Sequence, residues 1–350
     1  FSRCMALLFS KVPWSSWALY IDDLICCAND YPTHLKRLRF ILDRLTFGNL
    51  KLSPKKTKLM QQEVKWLGFK LSENGLSVDP DKVKVIKNLP RPTSVKQVQK
   101  FLGMIGYHRS FIPKFSEIAT PLYNLTHKNA KFIWDEQCQD AFSRLIEALA
   151  TSPVLAIPDI EDKHNSYAVT IDASKRGLAA VLTQYCPNSK KRRIISYYSK
   201  KVPQHLRKWG ATRLEFLALH SAVLHWKIYL QGTTFKVYTD CKSLLNMETI
   251  FSKGNDYMQR RIADLSGMSF QIEHVSGKSQ EIQIPDYLSR YAFGVPEKSV
   301  EVQTDVSCFN SRDKSGEKKQ KASVKNNSLM DNDLKGQLSS FSLSSEDNSE

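Results

Sequence analysis

The sequence predicts an α/β (α+β) protein whose centre is a mixed sheet with helices on its faces, preceded by a helical region and a smaller α/β segment. Two strand-like runs of alternating apolar residues, Tyr167 to Asp172 and Phe235 to Asp240, flank a long apolar-faced helical stretch, Ala211 to Leu230, which is the pattern of a helix crossing a sheet. From about 79 to 150 the apolar period becomes helical. From residue 294 to 350 the chain is rich in Ser, Lys, Asp and Asn and keeps no period, so this tail is expected to be disordered.

In chain order, residues 1 to 76 read as the first segment. The stretch Trp17 to Ala28 is apolar on both sides of Asp22-Asp23, which suits two strands joined by a tight acidic turn. A helix follows over Pro32 to Leu45, with apolar positions at 35, 38, 41, 42 and 45, and Val64 to Leu71 reads as one short strand. In the helical region, 77 to 152, Ser94 and Gln97 form a capping box ahead of Val95, Val98, Leu102 and Ile105. A second helix carries Cys138, Phe142, Leu145, Ile146 and Leu149 on one face, and Thr151-Ser152-Pro153 ends it. The third segment, 153 to 293, adds strands at 178 to 184, 193 to 198 and 270 to 275 and helices after Asp240 and at Asp286.

The chain of 350 residues has room for two or three cores. Its seven cysteines, at 4, 26, 27, 138, 186, 241 and 308, include no Cys-x-x-Cys pair, which argues against a disulfide framework and a zinc site. The most apolar stretch, Trp14 to Ala28, is interrupted by Asp22 and Asp23, and no secretory signal pattern begins the chain. An intracellular protein, cytoplasmic or nuclear and without a membrane partner, is therefore expected. The net charge is +16; the tail from 296 holds 8 Lys/Arg against 10 Asp/Glu, so residues 1 to 295 carry +18. A body so basic is suited to a polyanion, and nucleic acid fits better than lipid.

Four acids occupy positions where packing does not call for them. Asp172 and Asp240 each end a strand, the place where α/β folds set their chemistry. Glu215 has Ala211, Ala218, Leu219 and Ala222 as its helical neighbours, and a bare charge on such a face is costly. Asp286 follows Pro285. Singly, each acid also reads as a turn former or helix cap. As a set they suit a divalent cation with all-oxygen ligation, Mg²⁺ or Mn²⁺.

The segments Thr170-Ile171-Asp172-Ala173-Ser174, Arg213-Leu214-Glu215-Phe216-Leu217-Ala218, Tyr238-Thr239-Asp240-Cys241 and Pro285-Asp286-Tyr287-Leu288-Ser289-Arg290 resemble the four acidic motifs of the ribonuclease H domain in gypsy-type LTR retroelement Pol polyproteins. The resemblance extends upstream through Tyr20-Ile21-Asp22-Asp23, Leu50 to Lys58, Trp66-Leu67-Gly68-Phe69 and Lys100 to Arg109, and so covers residues 1 to about 293. It implies a partial reverse transcriptase palm, a helical thumb or connection, and a ribonuclease H-like domain. It further implies that Asp172, Glu215, Asp240 and Asp286 hold two Mg²⁺ (or Mn²⁺) ions for cutting the RNA strand of RNA:DNA hybrids. Asp22 and Asp23 correspond to the polymerase acid pair, and Trp66, Leu67 and Gly68 to the grip on the primer's 3′ end. His274 does not match the histidine that related enzymes place near the fourth acid. The family's other palm acid and its fingers precede the position of Phe1, so this stretch by itself is expected not to polymerise DNA. Implied partners are nucleic acid, other Pol segments or a second copy. The alternative reading is a non-catalytic descendant that binds nucleic acid.

Overall fold

A computed structural model describes residues 1–9, 17–160, 167–187, 191–247 and 256–276. These form two compact units that divide between Gln61 and Gln62.

The first unit holds helix α1 (Ser2–Leu8), the antiparallel pair β1 (Trp17–Tyr20) and β2 (Asp23–Cys26), and helix α2 (Tyr31–Phe47). Tyr20 pairs with Asp23, which leaves Ile21-Asp22 as a two-residue turn, with Ile21 at φ 56. The acidic turn between two strands is thus present as expected. Asp30 caps α2 by accepting from the Thr33 N–H at 2.8 Å. The core is small: Met5, Phe9, Trp17, Ile41 and Leu45.

The second unit opens with a three-stranded meander, β3 (Val64–Trp66), β4 (Phe69–Ser72) and β5 (Gly75–Val78). The single strand expected over 64 to 71 is therefore a hairpin. Trp66 pairs with Phe69 across Leu67 (φ 51) and Gly68 (φ 78), and positive φ at both central positions gives the turn that suits strand twist.

Helices α3 (Pro80–Lys87), α4 (Val95–Gly106), α5 (Phe115–Ile118), α6 (Thr120–Leu125) and α7 (Glu136–Ala150) follow. Ser94 accepts from the Gln97 N–H at 3.4 Å, and Gln97 reaches back one residue further than a standard capping box, to the Thr93 N–H at 2.7 Å.

The sheet of the second unit runs in the order β10-β9-β6-β7-β8, built from β6 (Tyr167–Ala173), β7 (Gly177–Cys186), β8 (Lys191–Lys201), β9 (Thr234–Thr239) and β10 (Ser269–His274). β6, β9 and β10 are parallel; β7 and β8 are antiparallel to their neighbours, so the sheet is mixed as predicted. Both faces are covered, and the two-residue period decides what each strand residue meets. Val169, Ile171, Leu178, Ala180, Leu182 and Ile195 pack with helix α8 (Ala211–His225), whereas Val181 and Tyr197 join the core of the helical region with Phe101, Ile105 and Leu145.

The expected helix over 211 to 230 breaks at Trp226 and resumes as α9 (Lys227–Leu230). After Asp240 comes a 3₁₀ turn, Lys242–Asn246, and later helix α10 (Asp256–Leu265). Among the described residues no helix is long and apolar enough to cross a membrane. The tail from 294 and the expected helix at Asp286 lie outside the described residues.

Candidate active site

Strand register brings the first two acids together. β6 and β9 are parallel neighbours with Ala168 opposite Lys236 and Thr170 opposite Tyr238, and Asp172 and Asp240 each come two residues after that last pair, at the C-terminal ends of the strands. Both acids lie close enough to Glu215 for their charges to act on it. Glu215 arrives from above. It sits in the second turn of α8, which is apolar on nearly every side because the sheet lies beneath it and α10 beside it, where His220 meets Asp264 at 2.9 Å.

Glu215 is 4 % exposed. One carboxylate oxygen accepts from the Ala173 N–H at 2.9 Å and the other from the Thr239 hydroxyl at 3.5 Å, so the helix acid is tied to the ends of both parallel strands. Burial, then the charges of Asp172 and Asp240, push its pKa up to about 8, against the opposing pull of those two hydrogen bonds. A carboxylate in this setting holds a proton at neutral pH or meets a cation.

Asp172 is half-exposed and forms an ion pair with Lys114, Nζ to Oδ2, at 2.9 Å. Among the described residues no three His, Cys, Asp or Glu side chains are grouped closely enough to hold a metal ion. The donor set is nevertheless all carboxylate, which suits Mg²⁺ or Mn²⁺ and not zinc. The buried, proton-binding Glu215 is the acid such an ion would neutralise.

Asp286, the fourth acid predicted for this site, lies outside the described residues. Asp22 and Asp23 are in the first unit, exposed at the tip of the β1-β2 hairpin. Trp66, Leu67 and Gly68 form the β3-β4 turn, where the Leu67 carbonyl accepts from the Tyr107 hydroxyl at 2.7 Å and the Tyr107 ring stacks on Phe69 at 5.3 Å. Two segments that carried the family resemblance, Trp66 to Phe69 and Lys100 to Arg109, therefore pack on each other. His274 ends the edge strand opposite Thr239. Sequence reasoning missed Lys114 and Thr239. Thr239 was findable, since the alternation Phe235, Val237, Thr239 points it inward; Lys114 stands in no motif.

Residues 134–237 match the family described as RNase H-like domain found in reverse transcriptase, and residues 1–71 match Reverse transcriptase (RNA-dependent DNA polymerase). The chain is 31% identical over 291 residues, 83% of its length, to the retrovirus-related Pol polyprotein from transposon 412 of Drosophila melanogaster, of which it covers 23%. It is 29% identical over 274 residues, 77% of its length, to the transposon Tf2-3 polyprotein of Schizosaccharomyces pombe, of which it covers 20%. The chain is thus a relative of Pol polyproteins from Ty3/gypsy-type elements. It spans about a quarter of the length of the Drosophila Pol polyproteins it matches, and joins a reverse transcriptase segment to a ribonuclease H-like one. Its fold is also that of foamy viral protease-reverse transcriptase. A structure of that protein with an RNA/DNA hybrid superposes with a TM-score of 0.68 at 21% identity, over 86% of this Pol segment and 39% of the viral chain. One with double-stranded DNA gives 0.68 at 22%, over 80% and 48%.

Proposed function

We propose that this Pol segment hydrolyses the RNA strand of RNA:DNA hybrids, with Asp172, Glu215, Asp240 and Asp286 holding two Mg²⁺ or Mn²⁺ ions. The observation that carries the reading is Glu215: a carboxylate fixed to the ends of two parallel strands, whose burial, together with the charges of Asp172 and Asp240, raises its pKa to about 8. As a purely structural residue it would be destabilising, and an apolar side chain would fill the same space at lower cost. As a ligand it is placed where a cation would remove the repulsion.

When bound, a pair of such ions activates a water and stabilises the departing 3′-oxygen. The chain's own residues supply the rest. Thr239 and the Ala173 N–H orient Glu215, the C-terminal ends of the two parallel strands carry Asp172 and Asp240, and α8 keeps water from the inner side of the cluster. The basic body, +18 over residues 1 to 295, supplies phosphate affinity, and contacts to 2′-hydroxyls across the shallow minor groove would distinguish RNA from DNA. Asp22 and Asp23 are assigned as the polymerase pair, and Trp66, Leu67 and Gly68 as the contact to the primer end.

Asp240→Asn is expected to lower hybrid cleavage by about three orders of magnitude or more while hybrid affinity stays within a few-fold, because the loss falls on ion binding and not on phosphate contacts. Cleavage of a labelled hybrid with Mg²⁺, alongside a binding titration, tests this. A wild-type chain that folds and binds hybrid yet never cuts across a range of metal conditions would leave the non-catalytic binding protein as the correct reading.

A further inference from the structure

Lys114 reaches the acid cluster from the helical region. It stands between Pro113 and the first residue of α5, with its backbone in the left-handed conformation, φ 50 and ψ 28, and its Nζ lies 2.9 Å from Asp172 Oδ2. Lysine does not favour that conformation, so the surroundings must impose it.

They do so on both sides. Before Lys114, the Arg109 guanidinium donates to the Ser199 carbonyl on β8 at 2.5 Å. After it, the Ser116 N–H donates to the Ser199 hydroxyl at 3.0 Å, the two serine hydroxyls share a hydrogen bond of 2.6 Å, and Glu117 accepts from the hydroxyl of Ser174, two residues beyond Asp172. Gly177 accommodates the approach, since a Cβ there would come 2.5 Å from Glu117 Cγ. The segment is thus clamped to the end of β8 and to the β6-β7 turn, and the clamp aims one lysine at one catalytic-site aspartate.

We propose that Lys114 is a built-in counter-cation of the acid cluster, a positioning residue that holds Asp172 in the metal-free protein and competes with the divalent ion for it. This rests on the divalent-metal reading given above. Three carboxylates cannot all remain ionised at close range without positive charge. Here Asp172 takes an ammonium, which offsets part of the negative charge around Glu215. An ammonium and a divalent cation repel each other strongly at contact distance, so the ion's arrival displaces the lysine. Its long flexible stem lets the head group leave without moving the clamped backbone.

The test is calorimetric titration of Mn²⁺ into the full chain without nucleic acid, with melting temperatures in chelator. Lys114→Met, and Lys114→Asn as a neutral variant that tolerates the left-handed backbone, are expected to bind Mn²⁺ about three- to fivefold more tightly, the size set by an ion pair half-open to water. Lys114→Arg, which keeps the charge, stays within about twofold. In chelator the neutral variants melt below wild type, and saturating Mn²⁺ closes the gap. If wild-type and neutral variants bind Mn²⁺ equally well, the competition is refuted while the metal reading stands. If hybrid affinity falls several-fold in those variants with Mn²⁺ affinity unchanged, Lys114 is a phosphate contact instead, and the proposal is also overturned. If neither wild type nor variants bind Mn²⁺, the metal reading of the site fails, and this inference with it.

Discussion

The hairpin that carries Asp22 and Asp23 and the sheet edge that carries Asp172 and Asp240 present the same residue type at the end of a strand, yet they are physically unlike. The hairpin has two strands and, among the described residues of its unit, five buried apolar side chains in its core, and both its acids are exposed. The sheet has five strands covered on both faces, and a buried glutamate joins its two aspartates from a helix that is itself buried. Two-stranded hairpins are marginal without further support, whereas a doubly covered sheet holds its strand ends rigidly. What turns an acid into part of a charged cluster is the register of the strand beside it and the helix above it, not its place at a strand's end.

The comparison can be broken most sharply through activity. The double substitution Asp22→Asn, Asp23→Asn is expected to leave hybrid cleavage within about twofold, against the loss of roughly three orders of magnitude at Asp240. Equal losses at both places would mean that the two acid groups act as one site. The assay is cleavage of a labelled hybrid under single-turnover conditions.

A smaller but still large effect belongs to stability against pH. In chelator the folded protein keeps a proton on Glu215 up to about pH 8, while the unfolded chain gives it up near 4.5. The protonated form therefore favours the fold at low pH, and that contribution is lost as pH rises from about 5 to about 8, by on the order of a few kcal/mol. Melting temperature should fall over that range, and Glu215→Gln should flatten the slope. Added Mg²⁺ opposes the fall by binding the ionised form. A Gln variant with the same slope as wild type would place the proton elsewhere.

The smallest expected effect is at the C-terminus. Deleting 296 to 350 removes a stretch with net charge −2 and no apolar period, and should shift unfolding free energy by less than about 0.5 kcal/mol and hybrid affinity by less than about twofold. Calorimetry and a binding titration on both lengths check this; a large loss of either would show that the tail packs on the body.

Much of this was legible in the sequence, for reasons that can be traced to particular residues. Strand alternation located β6 and β9 to within one residue, because each has one face against α8 and so must repeat every second position. Ser94 marked the start of α4, since capping chemistry is local. The β3-β4 hairpin was hidden because Leu67-Gly68 is not a strong turn signal and apolar residues stand on both sides of it; only the fold shows Tyr107 bracing that turn. Lys114 was hidden for a deeper reason. Its partner Asp172 is 58 positions away, and the link is made by β8 and the β6-β7 turn, which no local pattern encodes.

One contact near the start of the second unit bears on how such a chain is assembled over evolutionary time. Leu76 and Leu155 exchange both backbone hydrogen bonds, each 2.8 Å, and Gly75 makes the approach possible because a Cβ would strike the Leu155 carbonyl at 2.2 Å. The backbone thus enters and leaves the intervening helical region at a single point. Segments whose two ends meet are the ones most readily exchanged or inserted without rethreading their surroundings. A recombination event cutting beside these two leucines would transplant the helical region as one cassette, and the lysine that addresses Asp172 would travel with it.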